Sequence, residues 1–181
     1  MVKIPDERLV SRVVGALALR RGDQVLDVGS GTGFMIKYLL DADPEVVYAC
    51  DLSQKMLDII AGKYPNEPRL RLLHADARHL PIADGTVDAV MCNGVYPHFE
   101  SKKAAISELY RATSSGGRLV ISHFGGRHLV NGIHGNSSDP VIRQDTIEPA
   151  AEVASLLASV GYEMTVCSDE PDLFIVAGVK K

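Results

Sequence analysis

Apolar positions along most of the chain alternate between two periods. Leu9, Val10, Val13, Val14 and Leu17 recur at three- and four-residue steps, the spacing of one helical face, with Pro5 and Asp6 placed to open that helix. "QVLDVG" is a short unbroken apolar run, the pattern of a strand buried on both faces. A helix is expected from about Thr32 to Leu40, and a second strand at "VVYACD". Ser53 is placed to cap the next helix, with Met56, Leu57 and Ile60 inward and Gly62 closing it. "LRLLHAD" and "TVDAVMCN" predict a third and a fourth strand. Ser101 is placed to cap a helix running through Ile106 and Leu109 to Ala112, and "SSGG" to turn the chain into a fifth strand, "GRLVISHF". Strands that alternate with helices predict a parallel sheet covered on both faces.

The rhythm stops at Phe124. Residues 125–148 are rich in Gly, Asn, Ser, His and Asp with little periodicity, which predicts a long functional loop. Pro149 starts a helix carrying Val153, Leu156, Leu157 and Val160, closed by Gly161. "YEMTVCS" and "LFIVAGV", joined by "DEPD", predict an antiparallel hairpin, so the sheet reverses at its last strand. The 181 residues are 46% hydrophobic and suit one domain over 1–181 with a sizeable core. A net charge of −4 with scattered basic residues argues against nucleic acid as a partner. No apolar run approaches the ~20 residues of a membrane span. Acidic residues in "MVKIPDERLV" stand where a signal peptide would have its apolar core, so a cytoplasmic protein is expected. Cys50, Cys92 and Cys167 lie far apart in apolar strand-like runs and are expected as buried free thiols.

The first strand runs into "VLDVGSGTGF", a glycine turn of the kind that lets backbone approach a nucleotide. Its glycines are Gly29, Gly31 and Gly33. The dinucleotide pattern G-x-G-x-x-G needs its third glycine where Phe34 stands, so a nicotinamide dinucleotide fits poorly. Asp51, ending the second strand, can accept from both ribose hydroxyls of either cofactor class. Asp27 interrupts an apolar strand. A buried carboxylate there needs a partner, and a cationic amino group would serve. S-adenosylmethionine has such a group and NAD does not. Asp76, ending the third strand, can pair with adenine's amino group beside a backbone N–H. The alternative is a packing turn without ligand, which aspartates at three successive strand ends disfavour.

"VLDVGSGTG", "ACDLSQKML", "HADARHLPIADGTVDAV" and "ELYRATSSGGRLVIS" resemble, in order, the motifs of class I S-adenosylmethionine-dependent methyltransferases. The nearest likeness is to the small-molecule subgroup that includes ubiquinone and menaquinone methyltransferases. It covers residues 20 to about 123 closely and the final helix and hairpin more loosely. The resemblance implies an α/β, Rossmann-like three-layer sandwich. Its seven-stranded, mostly parallel sheet would have order 3-2-1-4-5-7-6 with strand 7 antiparallel. It further implies that Gly29, Gly31 and Gly33 line the methionyl and ribose part, with Ser30 and Thr32 in the same turn. Asp27 would reach the methionyl amino group, Asp51 the ribose, and Leu52 and Met56 the adenine face. Asp76 and the backbone of Ala77 would read the adenine edge, and Asn93 would sit beside the methionyl tail.

In "CNGVYPHF", Asn93 and Tyr96 partly match the [DNS]-P-P-[YF] motif of enzymes that methylate nucleic-acid amino groups, but Gly94 and Val95 replace its prolines. His98 matches a histidine often seen in the small-molecule subgroup; a helix-capping histidine is the other reading. His98 and His123 are the candidate proton acceptors. His123, His128 and His134 are five and six residues apart, share no helix face, and predict no metal site. The N-terminal helix and residues 123–148 are expected to form the lid over a small-molecule methyl acceptor, in a monomer or a homodimer. A protein or RNA methyltransferase, or a cofactor-binding module without turnover, are the alternatives.

Overall fold

The computed structural model describes residues 6–140 and 142–181. Helix α1 spans Glu7–Leu17, and the Asp6 carboxylate accepts the Arg8 amide at 2.9 Å as its N-cap. Pro5, the other expected opening residue, lies outside the described residues. The elements then alternate as β1 (Gln24–Val28), α2 (Ile36–Leu40), β2 (Val46–Asp51), α3 (Gln54–Lys63), β3 (Leu70–His74), β4 (Val87–Asn93), α4 (Lys102–Ala112) and β5 (Thr113–Phe124). Next come α5 (Gly126–Gly135), α6 (Ala150–Val160), β6 (Tyr162–Asp169) and β7 (Leu173–Lys180).

The seven strands form one sheet in the order β3-β2-β1-β4-β5-β7-β6. Pairs through β5 are parallel, and β7 runs antiparallel to both β5 and β6. This is the expected three-layer architecture. Successive side chains point to opposite faces, so each central strand feeds two cores. Leu26, Val90 and Leu119 pack with Ile106 and Leu109 of α4 and Leu157 of α6. Val25, Ala89 and Val120 pack with Val13 of α1, Leu39 of α2 and Ile60 of α3. Burial on both faces is why these strands read as continuous apolar runs.

Five local expectations are corrected. The helix expected from Thr32 begins only at Ile36, because Gly31 and Gly33 hold positive φ (53° and 79°) and break the helical path. Ser53 occupies the N-cap of α3 without a side-chain capping bond, and α3 runs through Gly62 to end at Tyr64. "SSGG" lies inside β5: Val87 pairs with Thr113 and Ala89 with Arg118, so the surplus residues bulge from the strand. A Cβ on Gly117 would stand 2.6 Å from the Thr113 side chain, which leaves no room for one. Residues 125–148 contain helix α5 and a short 3₁₀ turn at Ile142–Gln144 rather than an unpatterned loop. Cys50 and Cys92 are buried, but Cys167 is exposed, since β6 is an edge strand that alternates buried and exposed positions.

Candidate active site

The parallel strands β1, β2, β3 and β4 end along one edge, and Asp51 with the residues that follow the strands forms the site; Asp76 lies two residues past the end of β3 rather than ending it. The Gly29 amide donates to the Cys50 carbonyl at 2.8 Å, stitching the glycine turn to β2. Gly29 has φ 65°, and a Cβ there would lie 2.3 Å from a Val95 methyl. Only glycine fits that position. The Asp51 carboxylate accepts the Gly31 amide and the Ser53 amide, each at 2.8 Å. A carboxylate has about four acceptor positions, so two remain for hydroxyl donors.

Asp27 is 2% exposed, and its Oδ2 has no hydrogen-bond partner among the described residues. Burial, and secondarily the Asp51 charge, push its carboxyl up to about 7. Asp76 forms a two-pronged ion pair with Arg78 (2.6 and 3.1 Å) and also accepts the Arg78 amide at 2.8 Å. Hydrogen bonds from Arg78 hold the Asp76 carboxyl below its ordinary range. Arg78 in turn reaches Glu100 at 2.6 Å.

These strand ends surround a cavity of about 550 Å³. Gly29, Gly31, Asp51 and Asp76 form its polar rim, and Met56 and Ala77 give it apolar wall. Leu52 is also on the wall and 68% exposed. His98 lines it too, in a short 3₁₀ turn (Tyr96–His98) between β4 and α4. The other candidates, Asp27 among them, do not line this cavity. Ser30 is buried and donates to the Cys50 carbonyl at 3.1 Å. The Thr32 side chain is exposed, and its carbonyl accepts Lys63 Nζ at 2.6 Å. Gly33 faces Ile36 and Ile60, where a Cβ would come within 3.0 Å of both. The Asn93 amide oxygen accepts the Ser122 hydroxyl at 2.9 Å.

The histidines divide in the same way. His98 Nδ1 lies 2.6 Å from Asp145 Oδ2, and its ring is 5.1 Å from that of His134. His123, at the end of β5, lines no described cavity. Burial, with the neighbouring His134 and His98, pushes His123 down to about 4. His128 is exposed beside Arg127. Among the described residues no group of three or more His, Cys, Asp or Glu side chains is arranged to hold a metal ion. A second hollow of about 460 Å³, lined by Pro97, Lys102, Gln144 and Asp145, shares His98, Phe99 and Glu100 with the first. Helix α1 reaches neither hollow, because its apolar face is used against the sheet.

Sequence reasoning missed Val95, Arg78, Glu100 and Asp145. Arg78 carried a usable signal, two residues after a strand-end aspartate. Asp145 carried none, since it lies in a segment without periodicity.

The methyltransferase domain family matches residues 26–121. A demethylmenaquinone methyltransferase of Beutenbergia cavernae is 39% identical over 109 residues, 60% of this chain and 44% of that protein. A malonyl-[acyl-carrier protein] O-methyltransferase of Methylococcus capsulatus is 36% identical over 103 residues, 56% of this chain and 38% of that protein. The matched stretch thus spans less than half of either relative. In fold, a SAM-dependent methyltransferase from Aquifex aeolicus superposes with a TM-score of 0.76 at 20% identity, over 95% of this chain and 89% of that one. With its family-matched core, its strand order and its glycine turn between β1 and α2, this chain belongs to the methyltransferase domain family and has the class I S-adenosylmethionine-dependent methyltransferase fold.

Proposed function

We propose that this chain is a single-domain cytoplasmic enzyme that methylates a small molecule, using S-adenosylmethionine and no nucleic acid. The observation that carries the reading is Asp27. A buried carboxylate with an unpartnered oxygen, beside the glycine turn and one strand from Asp51, is costly unless a cation joins it. The methionyl amino group is such a cation. The rest of the site fits the same ligand. Asp51 keeps acceptor positions for the ribose, Met56 and Leu52 offer apolar surface to adenine, and Asp76 with the Ala77 amide stands at its edge. Gly31 lies on the cavity wall; Ser30, Thr32, Gly33 and Asn93 act without lining it, by shaping the turn and the end of β4.

The bound sulfonium supplies an electrophilic methyl group, so the protein has to hold, orient and keep dry rather than activate. The glycine turn and the aspartates fix the cofactor side. His98 lines the cavity and takes a proton where the acceptor must lose one. His123 suits that task less: it lies off the cavity and its low proton affinity makes it a weak base at neutral pH. The acidic net charge and the scattered basic residues support a small acceptor over nucleic acid, and no helix among the described residues is long and apolar enough to cross a membrane.

Calorimetric titration with S-adenosylmethionine, S-adenosylhomocysteine and NADH tests the reading. Dissociation constants on the order of micromolar are expected for the two sulfur compounds and no binding for NADH. Asp51→Ala is expected to weaken binding about tenfold or more. Absence of binding by both sulfur compounds would overturn the proposal.

A further inference from the structure

We infer that Asp145 is a positioning residue that fixes the ring of His98 as a proton acceptor, and that the methyl acceptor therefore carries a phenol- or enol-type hydroxyl. The inference rests on the reading of the cavity as a methyl-transfer site.

The segment from Ile142 to Glu148 crosses from α5 to α6 with little secondary structure, yet side chains from α4 and α5 grip it at Asp145 and at the three residues that follow. His134 Nδ1 is 2.6 Å from the Asp145 carbonyl. Lys102 Nζ donates to the Thr146 carbonyl at 2.7 Å and to the Glu148 carboxylate at 2.6 Å. The Asn131 side chain donates to the Ile147 carbonyl at 2.9 Å and accepts the Ile147 amide at 2.8 Å. A trailing connector would not need this clamp. Its outcome is one carboxylate, 20% exposed, aimed at His98 Nδ1 from 2.6 Å.

A carboxylate on Nδ1 makes that nitrogen the donor, so Nε2 is left with its lone pair. Nε2 makes no hydrogen bond to a described residue, and the ring borders both hollows. Base, orienting acid and cavity thus have the arrangement by which enzymes hold an imidazole in its reactive tautomer. Such a base is of use to a nucleophile that must shed a proton to attack. An aromatic amine, neutral at physiological pH, attacks with its own lone pair, whereas a hydroxyl is a poor nucleophile until its proton is leaving. The acceptor's O–H bond breaks and the proton passes to His98 Nε2. The oxygen's electron pair forms the bond to the methyl carbon as the carbon–sulfur bond breaks, its electrons staying on sulfur.

Two measurements on the full chain test this. The first needs no cofactor: long-range proton–nitrogen NMR of the histidine rings, with the His98 signals assigned by their loss in His98→Gln. Neutral His98 is expected to carry its proton on Nδ1, and Asp145→Asn to move it toward Nε2. A wild-type proton on Nε2, or no change in the variant, would overturn the positioning role. The second is methyl transfer from S-adenosylmethionine to catechol, naphthol and aniline. Asp145→Asn is expected to lower kcat on the phenols by about tenfold or more while changing the cofactor's Kd by less than about twofold. An unchanged kcat overturns the role, and methylation of aniline alone, or of no phenol, overturns the acceptor class. Failure of S-adenosylmethionine to bind the wild-type chain would instead be the failure of the methyl-transfer reading, and the NMR result separates the two.

Discussion

Asp27 carries the sharpest consequence of any one side chain. In the unfolded chain its carboxyl titrates near 3.8; in the fold it keeps its proton to about 7. Between those values the folded state binds a proton that the unfolded state has lost. Asp27 therefore subtracts stability progressively as pH rises from about 4 to about 7, by at most about 4 kcal/mol. Asp27→Asn is expected to match the wild type near pH 4 and to be the more stable by about pH 8, while binding S-adenosylmethionine more weakly. Urea unfolding of both at several pH values decides it: a difference independent of pH would show that Asp27 is not protonated in the fold. Gly29 gives a second test. Gly29→Ala places a Cβ 2.3 Å from a Val95 methyl at φ 65°, and is expected to cost about 2–3 kcal/mol in chemical denaturation. Repeated in a Val95→Ala background, it is expected to cost less, because the clash goes and only the φ strain stays. Asp27, Asp51 and Asp76 were readable in the sequence because each is a charge within or ending an apolar run. Val95 and Asp145 were not, since each works through a contact made from a distant segment: Val95 over Gly29 and Asp145 against His98.

Among the elements, α5 was the least legible. Gly126, Gly132 and Gly135 obscure its helical signal, and only Val130 of its side chains enters the core. Gly132 has nothing within 4 Å of where a Cβ would stand. Gly132→Ala is expected to raise stability by about 0.5–1 kcal/mol, read as a higher urea midpoint with unchanged slope. The β5 bulge escaped notice because "SSGG" is turn chemistry, and a bulge uses the same residues as a turn. The loops after β3 and β4 are linked through Arg78, which ties Asp76 to Glu100 and so joins two walls of the cavity. The Glu100 side chain is 78% exposed, so Glu100→Gln is expected to shift stability by less than about 0.5 kcal/mol. In stopped-flow mixing it is expected to speed both association and release of S-adenosylmethionine. Unchanged rates would show that the Arg78–Glu100 link does not restrain entry.

Across the whole molecule, the strand–helix alternation and the closing hairpin were plain in the sequence, because period and turn chemistry are local. The order in which strands lie side by side is not local, and its expectation came from the resemblance; the structure has that order. One part of it shapes how the chain folds. The last strand, β7, lies between β5 and β6, so β5 has no neighbour on that side until residues 173–180 arrive. Leu119, Val120 and Ile121, all buried in the finished sheet, would meanwhile sit on an open edge. A chain cut after Gly161 is expected to associate through that edge, visible as light scattering where the full chain gives none. Folding here waits on its final segment, and no hairpin residue lines either hollow. Synthesis of the polypeptide reaches Asp27, Asp51 and Asp76 long before the sheet that aligns them can close. In a growing chain the candidate site is encoded early and becomes rigid late.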